Sequence, residues 1–285
     1  MPLTDNLRGA LLMVASMAGF AVEDMFLKAA AQTMPVGQVI LTVGLCGMVV
    51  FGLLSLRAGE SPLPRAILHP ALLIRSVFEV AGRLFYALAI ALTPLSTTSA
   101  ILQATPLVVV AFAALFLGER VGWRRWSAVL VGFIGVLIIL RPGVEGFSAL
   151  SLLAVAGMLG FAGRDLATRA APKVLSNRQL GLAGFAMLSL AGVILLARSG
   201  GATLPDLHGI GLLAGTAAFG ILAYHALTGA MRTGEVSFVT PFRYSRIVFA
   251  MVLAVFVFGE RPDAATLLGS ALIVASGLYT LARAR

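Results

Sequence analysis

Charge is scarce in this chain. Of its 285 residues only 12% are charged and 59% are hydrophobic, whereas about a quarter of an ordinary globular domain is charged. The mean hydropathy of +0.99 means more apolar side chains than a soluble core of this length can enclose. The same abundance excludes disorder, which requires few hydrophobic residues. Cysteine is almost missing: Cys46 stands alone, so there is no intramolecular disulfide framework and no cysteine metal cluster. Set in an apolar run, Cys46 is expected to act as a small buried hydrophobe. Histidine is limited to His69, His208 and His225, too scattered for a metal set. No His-Glu-x-x-His or Gly-x-x-x-x-Gly-Lys occurs, which argues against metal-dependent hydrolysis and against ATP-driven work by this chain alone. No enzyme activity, cofactor or resident metal is expected. Lysine is reduced to Lys28 and Lys173. The arginines that make the net charge +9 fall mostly between apolar runs rather than in one stripe, which argues against nucleic acid as a partner.

What remains is an all-α integral membrane protein, with the lipid bilayer as its solvent. A spanning helix needs about 20 mostly apolar residues. Such runs occupy 8–28, 37–56, 71–92, 96–117, 124–141, 149–168, 179–198, 208–231, 237–258 and 264–282. They are separated by turn and charge signals such as Met34-Pro35, Gly118-Glu119-Arg120 and Arg261-Pro262-Asp263. If the N-terminus is cytoplasmic, twelve basic residues fall on the inner side and four on the outer. This bias orients both termini inward and points to a plasma (inner) membrane.

The chain repeats itself at a shift of 141 residues. Residues 11–30, LLMVASMAGFAVEDMFLKAA, lie over 152–171, LLAVAGMLGFAGRDLATRAA, with eleven of 20 positions identical. The same register carries Gln38 onto Gln179, Arg57 onto Arg198 and Gly118-Glu119-Arg120 onto Gly259-Glu260-Arg261. Each half, 1–146 and 147–285, therefore holds five helices, and an odd number makes the second half enter from the opposite side. Inverted-topology repeats of this kind belong to secondary transporters, whose substrate site lies near midplane between the repeats. The whole pathway then lies in one chain, so the working unit is expected to be a monomer, with a dimer as the alternative.

Ten helices in two halves, with Gly-Glu-Arg after the fourth and ninth and with Asp24 and Asp165 near the ends of the first helix of each half, resemble the EamA-type transporters of the drug/metabolite superfamily. The resemblance implies a carrier for a small molecule; members move amino acids, S-adenosylmethionine, drugs and nucleotide-related metabolites. Many relatives place an Arg in the second helix, where this chain reads ILTVGLCG.

Ionisable side chains at membrane depth mark functional sites. The third helix carries Arg75, Glu79 and Arg83 on one face, with Tyr86 one turn on. Arg83 lies about 18 Å along that helix, past the middle of a core about 30 Å thick. The ninth contributes Arg243, Tyr244 and Arg246 after Thr240-Pro241, without an acid nearby in sequence. Either Glu79 compensates one of these arginines, or an anionic group of the substrate does, since a guanidinium fork grips carboxylate bidentately. Tyr224, His225 and Gln103 complete the expected substrate set. Arg75 and the pairs Asp24–Lys28 and Asp165–Arg169, four residues apart, are read as local ion pairs or gating contacts. Glu79 and His225 are the residues that could titrate if transport is proton-coupled. The expected cargo is a small zwitterionic or anionic metabolite, an amino acid or derivative, with S-adenosylmethionine or a nucleoside-like solute as the alternative.

Overall fold

A computed structural model describes residues 5–116, 123–141, 148–169, 175–233 and 240–282. The Gly118-Glu119-Arg120 turn and Lys173 lie outside that set, and Arg169 ends a described helix without a described side chain. Among the described residues eleven α-helices follow in order: α1 (Asp5–Ala30), α2 (Val36–Arg57), α3 (Pro70–Leu92), α4 (Leu95–Leu102), α5 (Thr105–Phe116), α6 (Trp123–Leu140), α7 (Ser151–Arg169), α8 (Asn177–Arg198), α9 (Leu207–Thr233), α10 (Ser245–Phe258) and α11 (Ala264–Ala282). There is no strand among the described residues. Helices are what a lipid-facing chain requires, because every backbone polar group must be satisfied within its own segment. On length and composition alone, α1, α2, α8 and residues 207–230 of α9 are apolar enough to cross a membrane. Helix α3 is as long but carries three charges, Arg75, Glu79 and Arg83.

The fourth run is not one helix. It breaks at Gln103-Ala104 between α4 and α5, where Pro106 has no N–H for the carbonyl of Leu102. The Thr105 hydroxyl donates to that carbonyl instead. In the ninth run a 3-10 turn, Thr240–Tyr244, precedes α10. The register of 141 residues pairs Gln103 with Tyr244, so the break in the first half and this turn in the second stand at equivalent positions.

The packing follows the repeat. Helix α2 lies on α8 and α6 on α11, while α1 lies on α9 and α3 on α7, two pairs that exchange when the halves do. The equivalent helices α2 and α8 run antiparallel. Gln38, opening α2, donates to the carbonyl of Thr203 beyond α8 at 2.7 Å. Its counterpart Gln179, opening α8, donates to the carbonyl of Ser61 beyond α2 at 2.8 Å. The second repeat is thus inverted relative to the first, and the fold is two five-helix repeats about a pseudo-two-fold axis. Helices α3 and α7 approach closely at Gly82 and Gly160: a Cβ on Gly160 would stand 2.5 Å from the Gly82 backbone. The related crossing of α1 on α9 uses Gly19 and Ala223 in the same way. Cys46 departs from expectation, since it is exposed on the outside of α2. Trp123, 75% exposed, sits at the start of α6 as an interfacial anchor would. Below, the near side is the one that holds the N-terminus of α1, and the far side is the other.

Candidate functional site

Helix α3 buries one stripe of its surface, and that stripe includes Arg75, Glu79, Gly82 and Tyr86. Glu79 is 2% exposed and gathers three guanidiniums: Arg83 at 3.2 Å, Arg75 at 3.4 Å and Arg164, from α7, at 3.4 Å. Arg164 also donates through Nε and Nη2 to Asp165 at 2.9 and 2.8 Å. Asp165 in turn stands 4.0 Å from Arg243. A second group lies on the α1 side. Asp24 accepts from the Tyr86 hydroxyl at 3.0 Å and from Arg246 at 2.5 Å. Arg246 lies over the rings of Phe20 and Tyr86. Phe161 of α7 stands between the groups, edge-on to Tyr86 and under the guanidiniums of Arg83 and Arg164.

These contacts correct the expected pairing. The counterions of Arg243 and Arg246 are Asp165 and Asp24, not Glu79, and they come from the first helix of each repeat. The pair Asp24–Lys28 does not form. Lys28 turns to the far end of the bundle, 3.4 Å from Glu260, and donates to the carbonyl of Thr93. The Arg169 end of the Asp165–Arg169 pair is outside the described residues. Gln103 is buried and donates to the carbonyl of Arg243 at 3.0 Å, which ties one helix break to the other rather than leaving an amide for a ligand. Tyr224 packs edge-on against Phe51 and Phe185. His225 is exposed and lines a cavity on the near side with Phe51, Ser176, Arg178 and Thr228, away from the charged cluster.

The repeat explains a residue that sequence reasoning passed over. Glu23 corresponds to Arg164, and Gly220 to Glu79. Where Arg164 meets Glu79 on α3, Glu23 meets Gly220 on α9: a Cβ on Gly220 would stand 2.8 Å from the Glu23 carboxylate. Glu23 is 6% exposed and has neither a hydrogen bond nor an ion pair among the described residues. Its signal was in the register itself, which sets an acid opposite an arginine and a glycine opposite an acid.

The far end is closed by Glu260. Its carboxylate accepts from the backbone N–H of Leu95 and Ser96 at 2.8 and 3.1 Å and from the Ser96 hydroxyl at 2.8 Å. It therefore caps α4, where negative charge is favoured, while pairing with Lys28. One carboxylate so joins α1, α4 and the end of α10. On the near side Glu60 joins Ser176 and Arg178 across the two repeats.

The interior thus holds Arg75, Arg83, Arg164, Arg243 and Arg246 against Glu23, Asp24, Glu79 and Asp165. Two donors are left over where the 3-10 turn meets α10: among the described residues, Arg246 Nε and the Tyr244 hydroxyl are buried without a hydrogen-bond partner. A cluster with surplus guanidinium, orphan donors and aromatic faces can hold a carboxylate and stack a flat or cationic group. Among the described residues no group of side chains could hold a metal ion.

A model of the EamA-like transporter family matches residues 7–141 and again 148–282, one match per repeat. The chain is 26% identical over 209 residues to an S-adenosylmethionine uptake transporter of Rickettsia bellii, covering 73% of this chain and 71% of that protein. It is 30% identical over 269 residues to the pseudopaline exporter CntI of Pseudomonas aeruginosa, with 93% of each chain covered. A riboflavin transporter of Vibrio cholerae is 30% identical over 207 residues, 72% of this chain and 68% of that one. A protein solved by crystallography superposes with a TM-score of 0.63 over 93% of this chain and 97% of its own, at 18% identity; at that identity the likeness concerns the fold.

Proposed function

Because the chain belongs to the EamA-like transporter family, and so is an integral membrane transporter rather than an enzyme, we propose that it is a secondary carrier of a small zwitterionic metabolite, an amino acid or a derivative of one. The two repeats, 1–146 and 147–285, are the units that move against each other, with the charged cluster between them. The single observation that carries this reading is the pair of orphan donors, Arg246 Nε and the Tyr244 hydroxyl, buried at a helix break. Leaving a buried donor unmade costs about 1–3 kcal/mol, and a substrate carboxylate would satisfy the Arg246 donor. Broken helices at midplane are where carriers of this architecture bind their cargo. The basic residues support both termini in the cytoplasm and residence in the inner membrane. One chain holds every residue of the cluster, which supports a monomeric working unit.

S-adenosylmethionine fits the same chemistry, since it carries an amino-acid end, a sulfonium and an aromatic base. Its support is the relatedness to uptake transporters for that compound. A ligand-stabilisation screen on purified protein tests the class. Amino acids or S-adenosylmethionine should raise the unfolding temperature of the wild type and leave Arg246→Ala unchanged. Stabilisation by nucleotide sugars or inorganic phosphate alone would overturn the substrate class and leave a carrier.

A further inference from the structure

Glu79, the acid that the sequence pointed to as a titrating group, is surrounded by three arginines. Neutralising it would leave those guanidiniums facing one another. It is a fixed charge. His225 lies exposed outside the cluster. Glu23 has the opposite environment. It is buried, it has no hydrogen bond or ion pair among the described residues, and Gly220 of α9 stands against its carboxylate. The charged groups around it are Asp24 beside it on α1, Arg83 from α3 and Arg246 from α10. Arg83 is engaged by Glu79, and Arg246 by Asp24. The turn Thr240–Tyr244 brings Arg243, which faces Asp165, and Tyr244. On α9 the ionisable residues are His208 near its start, Tyr224 and His225 one turn beyond Gly220, and Arg232 near its end, and on α2 the only charged residue is Arg57 at its end; α4 has none. Among the described residues none of these cations is within ion-pair distance of Glu23.

We propose that Glu23 is the proton-binding site through which transport is coupled to the proton gradient. The inference rests on the carrier reading above. An isolated carboxylate cannot be buried ionised without a cost far above that of burying the acid form, so in this conformation Glu23 holds its proton. Its position gives the proton an exit. Lys28, which anchors the far-side contact to Glu260, is five residues further along α1, about 7.5 Å by helical rise. Parting Lys28 and Ser96 from Glu260 exposes the segment containing Glu23 to far-side water, where a carboxylate ionises at neutral pH. The proton then leaves as a hydrated proton, and Glu23 turns into an anion beside Arg246 and Arg83. No other co-reactant is required. The asymmetry of the repeat is the physical reason that this happens on one side only: in the inverted half the equivalent position is Arg164, which is neutralised by Glu79 and Asp165.

Infrared difference spectroscopy on the full chain in lipid nanodiscs, titrated between about pH 5 and pH 8, reads this without a substrate. The wild type should show the carbonyl stretch of a protonated carboxylic acid at neutral pH. Glu23→Gln should lose that band while eluting as folded protein, and Glu23→Asp, which keeps an acid, should retain a shifted one. In proteoliposomes loaded with S-adenosylmethionine or an amino acid, an imposed pH gradient should drive flux in the wild type, and whatever flux Glu23→Gln retains should not respond to that gradient. A band unchanged in Glu23→Gln, or flux in that variant that still follows the gradient, overturns the proposal while the carrier stands. Absence of counterflow in the wild type for every solute overturns the carrier reading, and this one with it.

Discussion

Arg83 and Glu79 are bonded to each other, yet their loss should not be equivalent. Glu79→Ala leaves Arg75, Arg83 and Arg164 without their common counterion, and uncompensated buried charge costs about 3–5 kcal/mol. Its unfolding temperature in detergent should fall steeply. Arg83→Ala leaves Glu79 with two arginines, so folding should change little. Transport should nonetheless drop by about tenfold or more, the equivalent of ~1.4 kcal/mol of lost binding. Equal thermal shifts in the two variants would contradict this division. At the far surface Asp263 behaves differently. The backbone N–H of Thr266 donates to it at 2.8 Å, and Arg141 pairs with it. Chiefly the Thr266 bond, and then Arg141, hold its carboxyl below the ordinary carboxylate range. With the folded value depressed, the stabilisation is present above the unfolded value and is lost as pH falls through the folded one. Asp263→Asn should therefore remove a stability difference seen at neutral pH and absent in strong acid, measured as unfolding temperature against pH. A difference that persists unchanged in acid would contradict it.

Among the elements, α4 depends on a residue that is distant in sequence. Glu260 satisfies its first backbone donors, and a lost cap costs about 1 kcal/mol. Glu260→Gln should weaken the contact with Lys28 and loosen the far end. In a Cys46→Ser background, a cysteine at Thr98, buried now, should react faster with an impermeant thiol reagent when Glu260 is Gln. Unchanged labelling would show that the contact is not a gate. Much of this layer was legible in the sequence. Ten runs and the register of 141 residues gave nearly every helix to within a few residues, because span length and hydropathy are local properties. The division of the run 96–117 into two helices was not legible, since how far Pro106 disrupts its helix depends on whether a hydroxyl such as Thr105 takes the orphaned carbonyl. Counterions were less legible. Local spacing favoured Asp24–Lys28, but each finds its partners on other helices, Asp24 in Tyr86 and Arg246 and Lys28 in Glu260 and the Thr93 carbonyl, which no single helix encodes. Glu23 was missed because an acid beside an acid draws no notice until Gly220 is known to face it.

At the scale of the whole molecule, the exchange of α1–α9 for α3–α7 about one axis gives the two repeats near-equivalent packing with opposite orientation. Equivalent positions must then lie on opposite sides. Cysteines introduced at Ala58 and Ser199, which end α2 and α8, should be labelled from opposite faces of the membrane; labelling from one face would contradict the inversion. Alternation between two such packings is what separates a carrier from a channel or a scaffold. Its most direct test is counterflow with purified protein in proteoliposomes, using S-adenosylmethionine and a panel of amino acids. The account predicts flux of at least one of these that saturates with concentration and accelerates when the same solute is present on the opposite side. Flux that rises without saturation and is indifferent to solute on the opposite side would contradict alternating access.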